Sequence, residues 1–218
     1  MIETLRLFVS ATHDLEDERA VVGRALLDLP VQIGAEIRRT PVGGSKYDDL
    51  YESIANVDRV YFLMGHDITA PAGAEWDLAW KLERNLLPLR RPAPYSPAGQ
   101  KFMRLLPMGW ITFRSRAALQ RIVTLDLIRL LAHPDNRYGL TLHEMNQLRV
   151  LGRQLARRPA PVGQDSGVES GGIEGGGVLL DDGRRAVVND APELTLPDDL
   201  EEEYDFLTEF DEDWLSEL

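Results

Sequence analysis

Apolar and polar positions along the chain alternate between two periods, and the alternation predicts its elements. Leu5 to Ala11 is a short apolar run of strand length. Thr12 or Asp14 is suited to cap the segment that follows, and Glu16, Asp17 and Glu18 favour the positive first turn of a helix. Leu15, Val22, Leu26 and Leu29 recur at helical spacing until Pro30. Val31 to Val42 reads as extended and ends in a Gly43-Gly44 turn, after which Tyr47, Leu50, Tyr51 and Ile54 mark a second amphipathic helix. Arg59 to Met64, aromatic and β-branched between Asp58 and Gly65, is the clearest strand. A third helix is expected over 72–85, a strand over 86–89, a loop over 92–99 and a fifth strand over 110–113.

Strands and helices in this alternation specify βαβ units and a parallel sheet. The fold class expected is therefore α/β: a flavodoxin-like parallel sheet of order 2-1-3-4-5 with helices on both faces, binding ligands at the carboxyl ends of its strands. This domain covers 1–116. A helical extension over 117–160 follows, with an apolar helix from 117 to 132 and then a Thr141–Glu144 capping box. That box opens a helix with Leu142, Met145, Leu148, Leu151 and Leu155 inward. Arg153, Arg157 and Arg158 suit its C-terminal end. Residues 161–177 read as a flexible Gly-rich linker. Residues 178–190 suggest a hairpin turning at Asp182-Gly183, and 191–218 form an acidic, aromatic tail.

Charge changes the picture only once it is located. The net charge is -12, yet residues 198–218 hold 11 Asp and Glu and no Lys or Arg, so the remainder carries 25 acids against 24 bases. The body is near neutral and the acidity belongs to the tail. With no cysteine, disulfides, thiolate metal sites and cysteine nucleophiles are excluded. The charged N-terminal segment does not read as a secretory signal, and no apolar stretch nears the roughly 20 residues of a membrane span. A cytoplasmic protein that binds neither membrane nor nucleic acid is expected, since the tail's carboxylates would repel phosphates.

The segment from Gly65 to Ala79 holds the strongest candidate chemistry. It leaves the third strand and enters a helix whose first turn carries Glu75, near Ser10 and Thr12 at the end of strand one. A carboxylate there can stabilise or attack an oxocarbenium-like anomeric carbon. It can equally do no more than favour a helix dipole. His66 and Asp67 follow the strand directly and are candidates to line the same pocket, although a loop histidine is more often simply exposed. Trp76 with Trp80, and Tyr47 with Tyr51, lie four apart and read as core stripes, or as an aromatic lid over a base. Glu144 of His143-Glu144 is explained by capping, and the second histidine of a zinc helix is lacking. No P-loop, G-x-G-x-x-G or G-x-S-x-G motif occurs, and no cofactor is expected. In the tail, Phe206, Phe210 and Trp214 sit among carboxylates at spacings near one helical face, which suits docking to a protein partner.

The opening carries a resemblance. Leu7-Phe8-Val9-Ser10-Ala11-Thr12 followed by Asp14-Leu15-Glu16-Asp17-Glu18-Arg19 resembles the VFVSST and DLxxER segments of the DUF4062 family, with Ala11 in place of a serine. Ser53 to Asp58, and Ala74-Glu75-Trp76-Asp77-Leu78-Ala79, are similar to later segments of that family and of the related TIR domains and nucleoside deoxyribosyltransferases. The resemblance covers about residues 5–90. It implies a nucleotide-sensing or protein-interaction signalling module of a prokaryotic defence or regulatory system, with a possible nucleotide ligand at Ser10, Thr12, His66 and Asp67. The alternative it implies is an N-glycosidase acting on NAD or nucleosides through Glu75. A non-catalytic assembly adaptor whose tail recruits a partner is the third reading.

Overall fold

The computed structural model describes residues 2–41, 44–105 and 109–157. The expected linker, hairpin and tail, including Phe206, Phe210 and Trp214, lie outside the described residues. Five strands, β1 (Leu5–Ala11), β2 (Ala35–Arg38), β3 (Arg59–Met64), β4 (Leu86–Arg90) and β5 (Ile111–Thr112), form one sheet of order β2-β1-β3-β4-β5. Every pairing is parallel. The flavodoxin-like α/β fold is as the alternating pattern specifies.

The two periods place the core on both faces. Leu5, Leu7, Val9, Tyr61, Leu63, Leu87 and Leu89 point to one face, against α1 (Arg19–Leu27), α5 (Arg116–Leu131) and α6 (Leu142–Arg157). Phe8, Val60, Phe62 and Met64 point to the other, against α2 (Tyr47–Ala55), α3 (Ala70–Lys81) and the flank of α4 (Pro97–Leu105). Buried on both sides, β3 reads as a continuous apolar run rather than an alternating one, and Tyr61 to Met64 have no exposed surface.

Several boundaries differ from expectation for identifiable reasons. A 3-10 turn over His13–Leu15 intervenes after β1, so the acids Glu16, Asp17 and Glu18 precede α1 instead of opening it. Strand β2 is confined to 35–38 within the extended 31–42 stretch, because its pairing with β1 stops at Phe8↔Arg38. The loop expected over 92–99 gives way at Pro97 to α4. Ser96 Oγ accepts from Gly99 N at 3.0 Å and caps it, while Pro97 lacks only an N–H that a first helical position leaves unbonded anyway. Helix α3 starts at Ala70, earlier than expected, and stops at Lys81; Glu83 follows in the left-handed region at φ 53. The Thr141–Glu144 capping box is present, with Thr141 N donating to Glu144 Oε2 at 2.8 Å and Glu144 N to Thr141 Oγ1 at 3.3 Å.

Of the paired aromatics, only Trp76 is core. It joins Phe62, Phe102 and Trp110 in a four-ring cluster, stacked on Trp110 at 5.8 Å between centroids. Trp80, Tyr47 and Tyr51 are exposed.

Candidate functional site

Parallel strands leave their backbone groups open wherever a neighbour ends, and β1 outlasts β2. Beyond Phe8 the carbonyls of Val9 and Ala11 have no partner strand on that side. Arg19, at the start of α1, supplies the missing donors: Nη1 bonds Val9 O at 3.1 Å and Nη2 bonds Ala11 O at 3.2 Å. Its planar fork spans two carbonyls that a longer β2 would have covered. Glu16 Oε2 lies 3.0 Å from Arg19 Nε and anchors the guanidinium from outside.

Glu75 lies on the other side of the same strand end. Ser10, of opposite strand parity to Val9, faces α3 and donates through Oγ to Glu75 Oε2. Thr40, two residues past the end of β2, donates through Oγ1 to Glu75 Oε1. Both carboxylate oxygens are thereby engaged, and Glu75 is 1% exposed. Burial pushes its carboxyl above the ordinary glutamate value; the two hydroxyls and the charge of Arg19 offset this only in part. A carboxyl so held can accept a proton near its raised value or release Thr40 in favour of another hydroxyl. It meets an incoming ligand only when Thr40 moves.

The crevice between the carboxyl ends of β1 and β3, where the strand order reverses, is the usual ligand position of this topology. Here the chain's own side chains fill it. Thr12 Oγ1 accepts from Gly65 N at 2.9 Å and donates to Asp14 Oδ1 at 2.7 Å, and Asp14 Oδ2 accepts from His66 N at 2.9 Å. Arg91 Nη2 stands 3.7 Å from Asp14 Oδ2. Burial opposes the charge on Asp14, but Thr12, the His66 amide and Arg91 together hold its carboxyl below the ordinary aspartate value. Gly65 makes this seat available, since a Cβ there would collide with the Asp14 carboxylate.

The five candidate residues thus divide into three groups. Ser10 joins Glu75; Thr12 and the His66 backbone join Asp14; the His66 side chain is exposed. Asp67 Oδ1 accepts from Ile68 N and from Ser96 Oγ, tying the β3–α3 loop to the cap of α4. Among the described residues no hydrogen bond joins His66 or Asp67 to Glu75. Sequence reasoning missed Thr40 and the work of Arg19 and Asp14. A Thr-Pro pair ending an edge strand, and an acid following a strand with glycine ending its neighbour, are the signals that point to them.

Beside Arg19 opens a cleft of about 570 Å³ lined by Val9, Glu16, Arg19, Arg24, Arg39 and Arg116, among others. Three of its cations have acidic partners: Glu16 lies 3.0 Å from Arg19 and 3.4 Å from Arg39, and Arg116 lies 3.4 Å from Asp17 and 3.5 Å from Glu18. No group of three or more potential metal ligands occurs among the described residues. No helix among them is long and apolar enough to cross a membrane. No protein-family model matches the chain, and comparison with curated proteins finds no match.

Proposed function

We propose that this chain is a nucleotide-sensing signalling module, in keeping with its resemblance to DUF4062 domains, and that its ligand enters the arginine-lined cleft beside β1. One observation carries the reading: the Arg39-Thr40 step joins that cleft to the buried Glu75 carboxyl, on which the charge of Arg19 also acts. A phosphate-bearing ligand competes with the exposed carboxylates of Glu16 and Asp17 for the guanidinium groups of Arg39 and Arg116, pairs individually worth at most about 1 kcal/mol. Drawing Arg39 toward the ligand displaces Thr40 from Glu75, and the β2–α2 segment changes position. Binding in the cleft is thereby converted into movement of a surface segment, which is what a signalling module requires.

Thermal-shift and calorimetric titration with NAD, ADP-ribose, ATP and cyclic nucleotides tests the proposal. At least one should raise Tm, and Arg39→Ala with Arg116→Ala should abolish the shift without unfolding the protein. A flat response to the whole panel refutes nucleotide sensing.

The N-glycosidase reading is favoured by a different feature, the raised pKa of a carboxyl held between two hydroxyls at the sheet's carboxyl edge. It requires release of nicotinamide from NAD, or of a base from a nucleoside, and loss of that release in Glu75→Gln. The closed arrangement around Glu75 leaves sensing the stronger reading.

A further inference from the structure

The outer face of α6 carries two unlike ridges. Val150 and Leu151, with Asn146 and Gln147, line a mostly apolar groove of about 350 Å³, bounded on its far side by Asp28 and Pro30 beyond the end of α1. Val150 is 47% exposed. Alongside, Arg149, Arg153 and Arg157 follow one another at i, i+4 and i+8 along one side of the helix, Arg149 half-buried and the other two exposed. An apolar groove flanked by a row of positive charge fits an acidic segment that interleaves large apolar residues with carboxylates.

The chain contains one. Residues 198–218 hold 11 carboxylates and no base, together with Phe206, Phe210 and Trp214. We infer that this tail occupies the α1–α6 groove of its own chain, its aromatic side chains in the groove and its carboxylates along the arginine row. This inference is independent of what the arginine cleft binds. The connection permits it. Helix α6 ends at Arg157, and 40 residues separate it from Asp198. As a random chain they would reach about 35 Å, against a length of roughly 24 Å for a 16-residue helix. Tethering makes the encounter intramolecular, with an effective concentration near the millimolar range. A weak individual contact is then enough to fill the groove. Burial of aromatic surface supplies attraction that salt does not screen, and the arginine row supplies register and the screened part.

Amide exchange of the full-length chain tests this, comparing the wild type with Val150→Glu and with a Phe206→Ser/Phe210→Ser/Trp214→Ser triple variant. Val150 is exposed and the three tail positions are remote in sequence from every strand of the sheet, so both variants should keep the exchange of β3 unchanged. Both should speed exchange over 143–154 by about tenfold, independently of protein concentration. Identical exchange in all three proteins overturns the inference. Protection that grows with protein concentration overturns it as well, by assigning the groove to the tail of a second copy.

Discussion

The carboxylate of Asp14 occupies the space that a side chain on Gly65 would need: a Cβ at that position would overlap both carboxylate oxygens and Cγ. Glycine therefore follows β3 because the turn after β1 carries an aspartate. Gly65 keeps an ordinary backbone conformation, so the requirement is one of close approach and not of backbone freedom.

Gly65→Ala should accordingly unseat Asp14 from the Thr12 hydroxyl and the His66 amide. The expected loss is about 2–3 kcal/mol, the range for breaking a buried polar network together with steric overlap. Asp14→Ala alone should lose less, and adding it to Gly65→Ala should recover part of the loss. Urea denaturation of the two single variants and the double variant checks this, and strict additivity would deny the coupling.

Glu75 and Asp14 should bend the pH dependence of stability in opposite directions. The Asp14 carboxyl is held below its ordinary value of 3.8. The unfolded chain therefore takes up that proton first, and the stability Asp14 supplies at neutral pH is lost as pH falls below the ordinary value through the folded one. The Glu75 carboxyl is raised above its ordinary value of 4.5. There the folded state holds the proton more tightly, so the stability Glu75 supplies is present at low pH and lost as pH rises from 4.5 to the folded value. Glu75→Gln should flatten the decline above 4.5 and leave the acid limb intact, as measured by denaturant midpoints across pH 3 to 7.

How far the sequence reveals these features depends on the range of the interaction. The alternation of strands and helices follows from β3 and from helical spacing such as Leu50/Ile54, because buried strands and amphipathic helices write their periods into consecutive residues, whereas the edge that each later strand takes is not written there. The Thr141–Glu144 box is equally legible, being complete within four positions. Pro97 and Gly99 misled because the same residues that mark loops also open helices, and only the position of Ser96 distinguishes the two. Ser10 is legible from its place near the end of β1 and Glu75 from the helix after β3, although Glu75 falls in the second turn of α3 and not in its first. Thr40 is not legible, because its bond to Glu75 joins residues 35 apart through the early end of an edge strand. Arg19 likewise acts on carbonyls left open where β2 stops, and no local pattern encodes where a strand stops.

The buried charge at the opposite end of the sheet is structural. Asp126 on α5 is fully buried and accepts from Arg59 Nη2 at 2.7 Å and from the Tyr61 hydroxyl at 2.8 Å. Burial pushes its carboxyl up while Arg59 and Tyr61 pull it down. Tyr61→Phe should cost about 1–2 kcal/mol, one hydrogen bond to a charged group. Arg59→Met should cost more, about 3–5 kcal/mol, because it strands an uncompensated buried carboxylate. Asp126→Asn in the Arg59→Met background should return part of that loss, and equal stability of the two Arg59→Met proteins would contradict it.

Arg19 provides the most direct test of the site, because it bonds the sheet edge while its charge acts on Glu75. Arg19→Lys keeps the charge and loses the fork. An ammonium on a flexible stem cannot donate to Val9 O and Ala11 O with the same planar geometry. One of the two carbonyls then turns to water, at a cost of about 1.5–3 kcal/mol for a charge-assisted bond. Arg19→Gln removes the charge as well. It should destabilise at least as much, and it should raise the Glu75 carboxyl further, since Arg19 is the positive group that pulls it down. NMR titration of the Glu75 side-chain carboxyl separates the two effects. The lysine variant should leave its midpoint near that of the wild type while losing stability, and the glutamine variant should shift it upward. If both variants titrate like the wild type, Arg19 serves only to close the strand edge, and the path from the cleft to Glu75 runs through Thr40 alone.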